Sequence, residues 1–368
     1  MNLVEALAVD VGPRPAGSAA AARAADVVAE AFRELGLEPR FQEFDLVGYE
    51  TDEPELEVEG ERWPAGPCMY AHDFDGRGTV KRIGSSPAPV GEGRLPSFAV
   101  VDDDGLEVAR LLTSPFSTGA IPFMSTHLHV TTPPTAFVSR ADAERLEDGM
   151  HVRLRVGGRF LPGRRERNVI ADLPGGGDGH VVVSAHFDSV WRGPGAIDNA
   201  TGVEGVRRVA ELLCERKLER GVRFVAFAAE EIKLVGSRYY VDEAVLREQL
   251  DEVKGVVNLD CIGRGEKLEV LASPSALLGR AVEAARQLGL LDRYELETGP
   301  ATGGVDSHWF AERRVPAATI LHFPYDEYHL PAESPELVDP KLMDDAVALA
   351  VALVESQLEQ PLPRSRDI

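Results

Sequence analysis

From residue 168 onward, short apolar runs alternate with segments of helical periodicity, and that alternation constrains the fold more than any other feature of the chain. The run His180-Val181-Val182-Val183-Ser184-Ala185 shows no polar alternation, so a strand made from it must be covered on both faces. Strands are expected at 168–173, 180–185, 222–228, 255–259 and 315–321, and helices at 202–214, 234–250, 273–288 and 340–358. Ahead of them, Ser18 caps an Ala-rich segment whose Ala25, Val28, Ala31, Phe32 and Leu35 recur every three or four residues until Gly36 ends it; a strand at 40–46 follows. Strands alternating with helices of this length predict a three-layer α/β/α sandwich around a mixed, largely parallel central sheet.

The texture changes between residues 48 and 160, where Gly and Pro recur and long helical periodicity is absent. Runs at 95–101, 135–138 and 152–156 read as strands, and 141–146 as one short helix. The expected division is therefore a host domain formed by 1–48 and 161–368, interrupted by a small β-rich module at 49–160.

Charge and cysteine usage narrow the partners. The 368 residues carry 61 acidic against 39 basic side chains, a formal charge of −22, which disfavours binding to nucleic acid or to an anionic membrane surface. Cys68, Cys214 and Cys261 are far apart and form no CxxC pair, so neither a disulfide framework nor a structural zinc knuckle is expected. Glu5 stands where a secretory signal would be basic, Asp10 interrupts the apolar stretch, and no uncharged run is long enough to span a bilayer; a cytoplasmic location is expected.

Chemistry gathers where the strands end. The run at 180–185 leads into His186-Phe187-Asp188, 222–228 into Glu230-Glu231, 255–259 into Asp260, and 315–321 is followed by Tyr328-His329. Asp198 lies in a glycine-rich loop between the first two strands. Ligands in open α/β sheets bind beyond the carboxyl ends of the strands, so residues this far apart in sequence can converge. Two imidazoles with several carboxylates suit zinc, with manganese or cobalt as substitutes. That is too much anionic charge for one tetrahedral zinc, and two ions about 3.5–4 Å apart sharing a carboxylate would balance it. Any one acid in a chain with 61 of them reads as solvated. Glu230 and Glu231 resist that reading, because adjacent acids beside an apolar run repel each other unless cations or protons compensate.

These residues carry a resemblance to the M28 zinc aminopeptidases. The similar elements are His186-Phe187-Asp188-Ser189-Val190, Gly195-Ala196-Ile197-Asp198-Asn199, Ala229-Glu230-Glu231 with Gly236-Ser237, Asn258-Leu259-Asp260-Cys261, Tyr328-His329, and Gly12-Pro13-Arg14-Pro15-Ala16-Gly17-Ser18 before the first helix. The resemblance implies that His186 and Glu231 bind one ion, Asp260 and His329 the other, and that Asp198 bridges them. It also implies that Glu230 is the general base acting on a water between the ions, that Asp188 orients His186, and that Tyr328 donates to the oxyanion. Pro134-Thr135-Ala136-Phe137-Val138-Ser139-Arg140 resembles part of a protease-associated domain, a module expected to wall the pocket or to make homo-oligomer contacts. Two departures stand out: Leu330-Pro331-Ala332-Glu333-Ser334 where relatives often have Thr, a spacer and Asp, and Asp306-Ser307-His308-Trp309-Phe310 where they often have Ser-Asp-His before Phe. His308 and His322 are read as neutral and locally satisfied. The implied activity is removal of an N-terminal residue from a peptide or small amide substrate. The alternatives are a carboxypeptidase or amidohydrolase, with Arg192 or Arg238 holding a carboxylate, and a glutaminyl-cyclase-like acyltransferase.

Overall fold

A computed structural model describes residues 1–88, 93–115, 119–121, 133–301 and 303–364. Eight strands make the host sheet: β1 (Arg40–Thr51), β2 (Gly158–Leu173), β3 (His180–His186), β4 (Gly221–Phe227), β5 (Val253–Leu259), β6 (Lys267–Ser273), β7 (Leu296–Gly299) and β8 (Ala317–Phe323). Their spatial order is β1-β2-β4-β3-β5-β8-β6-β7. The centre is parallel, with β3 between β4 and β5 and β8 beside β5. The β1/β2, β2/β4 and β6/β8 pairs are antiparallel, so the sheet is mixed.

Every residue of β3 is buried, as an apolar run without alternation requires. Val181 and Val183 face a core shared with helices α1 (Ala19–Glu34) and α2 (Gly202–Cys214), while Val182 faces the opposite side, against α3 (Val235–Leu246). Helices α4 (Ser275–Gln287) and α6 (Pro340–Glu359) join the first layer, and Phe310 of α5 (His308–Glu312) joins the second. The result is the three-layer α/β/α sandwich. In α1 the Ser18 hydroxyl accepts from Ala21 N at 3.0 Å, and the chain leaves the helix at Gly36, whose φ of +77° is left-handed.

Element ends depart from the periodicity for local reasons. The helix expected to reach residue 250 stops at Leu246, because Glu248 turns left-handed and Gln249 N closes back onto Ala244 O. The last strand starts at Ala317, past Pro316, which has no N–H for a ladder. Strands β6 and β7 were not anticipated. The alternation that buries Leu268, Val270 and Ala272 is confined to seven residues squeezed between a loop and a helix.

A second eight-stranded sheet is formed by residues 55–156 and has its own core, with Leu56, Phe98, Leu111 and Leu154 buried in it. The β1/β2 ladder runs from Arg40↔Ile170 to Thr51↔Gly158, so the chain departs for this sheet and returns from it at neighbouring positions. Among the described residues, no helix is long and apolar enough to cross a membrane.

Two histidines tie host stability to pH. Burial drives His180 and His322 down to about 4, and for His180 the nearby Arg223 adds to the effect. An unfolded histidine titrates near 6.5, so the unfolded chain binds these protons first. The stabilisation is therefore complete above about pH 6.5 and is lost as pH falls towards 4. His322→Phe is expected to flatten that loss by up to about 3 kcal/mol, read as the difference between urea midpoints of variant and wild type across this range. Parallel curves would show that His322 does not titrate on unfolding.

Candidate metal centre

The parallel strands aim their carboxyl ends at one spot. His186 closes β3, Asp260 follows β5, and Glu230 and Glu231 follow β4. Asp198 comes from the loop before α2, and His329 from the loop after β8. Gly202 begins α2 so close to Asn199 and to the Leu259 carbonyl that any Cβ there would collide with both.

The donor atoms fall into two groups joined by one carboxylate. His186 Nε2 is 3.0 Å from Asp198 Oδ1, 3.5 Å from Asp260 Oδ1 and 4.0 Å from Glu230 Oε2. His329 Nε2 is 3.1 Å from Asp198 Oδ2 and 3.2 Å from Glu231 Oε2. The donor atoms group otherwise than the resemblance implies: His186 lies with Asp260, and His329 with Glu231. Strand order allows either pairing, since β3 lies between β4 and β5; the loops beyond the strand ends decide, the one carrying His329 folding across to Glu231. Asp198 has one oxygen in each group.

These residues fit a pair of divalent cations. Four carboxylates converge on two imidazoles, and Glu231 Oε1 is buried with no hydrogen-bond partner among the described residues. Burial raises Glu230 well above the usual carboxylate range, brings Glu231 to about 7 and raises Asp260. Burial also works against ionised Asp198, but hydrogen bonds from His186 and His329 outweigh it and hold that carboxyl low. The two histidines are held well above their usual range, because facing carboxylates overcome desolvation. A site this anionic needs protons or cations among its acids.

Several buried groups hold this arrangement. Asp188 lies 3.6 Å from His186 Nδ1, and its carboxylate accepts from Glu230 N at 3.0 Å and Glu231 N at 3.3 Å, clamping that turn. Glu333 accepts from Ile197 N at 2.8 Å, Asp198 N at 2.6 Å and His329 N at 3.3 Å, so one carboxylate seats residues of both groups. Sequence reasoning noticed Glu333 only as a departure in a loop. Its position four residues after His329 was the available signal.

Arg14 was likewise quoted without a role, and it is fully buried. Its guanidinium donates to the carbonyls of Phe187, Pro194 and Gly195, stitching the segment before α1 to the loop that presents Asp198. Arg14→Met would orphan those acceptors and is expected to cost about 3–5 kcal/mol in a denaturant titration. A loss under about 1 kcal/mol would contradict the clamp.

A cavity of about 650 Å³ opens over the donors. Tyr328 lines it with its ring stacked on His329, centroids 3.9 Å apart. His308 also lines the cavity, and its Nδ1 accepts from Gly303 N at 3.0 Å, as expected of a locally satisfied ring. His322 differs from that expectation, for neither ring nitrogen has a hydrogen-bond partner of normal geometry among the described residues and the ring lies edge-on to Tyr294. Arg192 pairs with Glu53 and Arg238 with Asp242, and neither lines the cavity. Among the described residues, none that lines it comes from 49–160.

An open α/β sandwich with two donor groups joined by a carboxylate at its strand ends has the layout of metal-dependent hydrolases. Residues 168–354 match the model of Peptidase family M28, and the chain belongs to that family. Leucine aminopeptidase 2 of Arthroderma otae is 40% identical over 136 residues, a stretch covering 35% of this chain and only 27% of that relative's length. Aminopeptidase YwaD of Bacillus subtilis is 25% identical over 393 aligned residues, covering 96% of this chain and 83% of the relative. Two solved structures share the fold. The peptidase M28 precursor from Shewanella amazonensis has a TM-score of 0.79 at 20% identity, covering 99% of this chain and 95% of its own. BSAP, a zinc aminopeptidase from Bacillus subtilis, has a TM-score of 0.70 at 20% identity, with 96% and 92% covered.

Proposed function

We propose that the chain is a dinuclear zinc aminopeptidase that hydrolyses the first peptide bond of a peptide with a free α-amine. The observation that carries this reading is the division of Asp198, one oxygen within 3.0 Å of His186 Nε2 and the other within 3.1 Å of His329 Nε2, with Asp260 completing one set and Glu231 the other. Two bound zinc ions supply Lewis acidity and an acidified water. Glu230, raised by burial and facing the same cavity, takes the proton from the attacking water and returns it to the departing amine. Asp188 orients His186 while it fixes the Glu230 turn. Tyr328 donates to the oxyanion from the cavity wall. Residues 49–160 act as an inserted, protease-associated-like module.

A C-terminal exopeptidase on the same scaffold would need a cation for the substrate carboxylate. Arg192 and Arg238 do not line the cavity; Lys233 does, close enough to Glu230 to feel its charge. Zinc-loaded protein incubated with a mixed peptide pool and an N-acetylated copy of it, read by mass spectrometry, separates the two. Single-residue trimming of the free pool alone is the expected result. Trimming of the acetylated pool or from the C-terminus would transfer the assignment to Lys233-directed carboxypeptidase or amidohydrolase chemistry. Ammonia loss from N-terminal Gln without hydrolysis would point to an acyltransferase.

A further inference from the structure

Away from the donor atoms, the cavity wall is built by β6 and β8. The two strands pair antiparallel with Glu269 opposite Leu321. Leu268, Val270 and Ala272 enter the core, so Glu269 and Leu271 face the other way and line the cavity together with Leu321 and Phe323. Glu269 is the one acid on an otherwise apolar stretch of this wall. It is half-buried, and among the described residues its side chain makes no hydrogen bond or ion pair.

The nearest cation is already engaged. Lys267 Nζ lies 2.8 Å from Glu295 and 3.5 Å from Glu297, and Glu297 is the register partner of Glu269 on β7. Strand β8 lies between β6 and β5, so Glu269 stands about two strand spacings, roughly 10 Å, to the side of the strand that ends before Asp260. That offset takes Glu269 away from the α-amine of a substrate whose first carbonyl is at the metal centre and towards the far end of that residue's side chain. The cationic cavity residue Lys233 is instead close enough to Glu230 to feel its charge.

Building on the aminopeptidase reading, we propose that Glu269 is a specificity-determining residue that selects substrates whose first side chain is long and cationic, Lys or Arg. The methylene stem of such a side chain runs along Leu271, Leu321 and Phe323, and its charged head meets Glu269. An apolar side chain of equal length fills the same channel but leaves a half-buried carboxylate without a partner. This gives discrimination by charge where a purely apolar pocket discriminates weakly by size.

The test compares kcat/KM of the zinc-loaded enzyme on Lys and norleucine p-nitroanilides, which match in length and differ in charge. Wild type is expected to favour Lys by at least about tenfold, with the preference shrinking as salt is added. Glu269→Gln should lower the Lys-to-norleucine ratio by about 10–100-fold, mainly through KM, and Glu269→Asp should restore part of it. A wild-type ratio at or below one overturns the proposal whether or not the variants fold, as does a ratio that Glu269→Gln leaves in place. Failure of wild type to cleave any aminoacyl anilide overturns the aminopeptidase reading itself, a different outcome from cleavage of both substrates without preference.

Discussion

Glu230→Gln is expected to lower kcat by about 10²–10⁴-fold while the protein still holds two zinc ions per chain. The substitution preserves the size of the side chain and removes its ability to accept the water proton, so a loss of about 3–5 kcal/mol of transition-state stabilisation should appear without a matching loss of metal. The surrounding turn should persist, because Asp188 holds it through the backbone N–H groups of residues 230 and 231 rather than through the Glu230 side chain. Turnover measured beside zinc content by mass spectrometry checks both halves. Glu230 Oε2 sits 4.0 Å from His186 Nε2 and within reach of the donor group that contains Asp260, so the variant has a second informative outcome. If zinc falls in step with kcat, Glu230 is a ligand and the base must be sought elsewhere.

The second large effect is expected at Asp198. One carboxylate serves both donor groups, so Asp198→Ala should weaken binding of both ions together and abolish turnover. Metal that binds only the folded chain stabilises it by mass action, by about 4 kcal/mol at a thousandfold excess over the dissociation constant. Thermal unfolding of wild type should therefore shift clearly upward with zinc and back with a chelator. In Asp198→Ala the zinc-dependent shift should largely vanish, and the metal-free variant should also be less stable than metal-free wild type, because His186 and His329 lose the carboxylate they share. An undiminished shift in the variant would mean that the two ions do not share Asp198. The reciprocal experiment follows from Glu333, which accepts from the N–H groups of Ile197, Asp198 and His329. Glu333→Ala should lower zinc affinity by about 10–100-fold without touching a donor atom, checked by competitive chelation.

What could be read in the sequence was local. The β3 run announces a doubly buried strand because its residues have no polar face to offer water, and Ser18 with Gly36 brackets α1 because capping geometry depends on a few adjacent residues. Likewise, His186, Glu230, Glu231 and Asp260 were visible as candidates because each directly follows an apolar run, and apolar runs end where a sheet meets solvent or ligand. Strand β7 escaped because four residues are too few to display a period, whereas the alternation of Leu268, Val270 and Ala272 in β6 was legible and went unread.

Everything that depends on which strands are neighbours was decided only by the tertiary structure. Crossovers put β3 between β4 and β5, an order no periodicity encodes, and the closure of the loops beyond those strands then sets His186 with Asp260 and Glu231 with His329. The same holds for the supports. Arg14 reaches a carbonyl 181 residues away and Glu333 an amide 135 residues away, contacts whose partners are backbone groups without any sequence signature. Sequence alone determined the kinds of chemical group available and the layers that would carry them, because both follow from side-chain polarity along the chain. Their assignment to one another required the folded sheet, because distance in space is set by strand order and loop closure rather than by position in the chain.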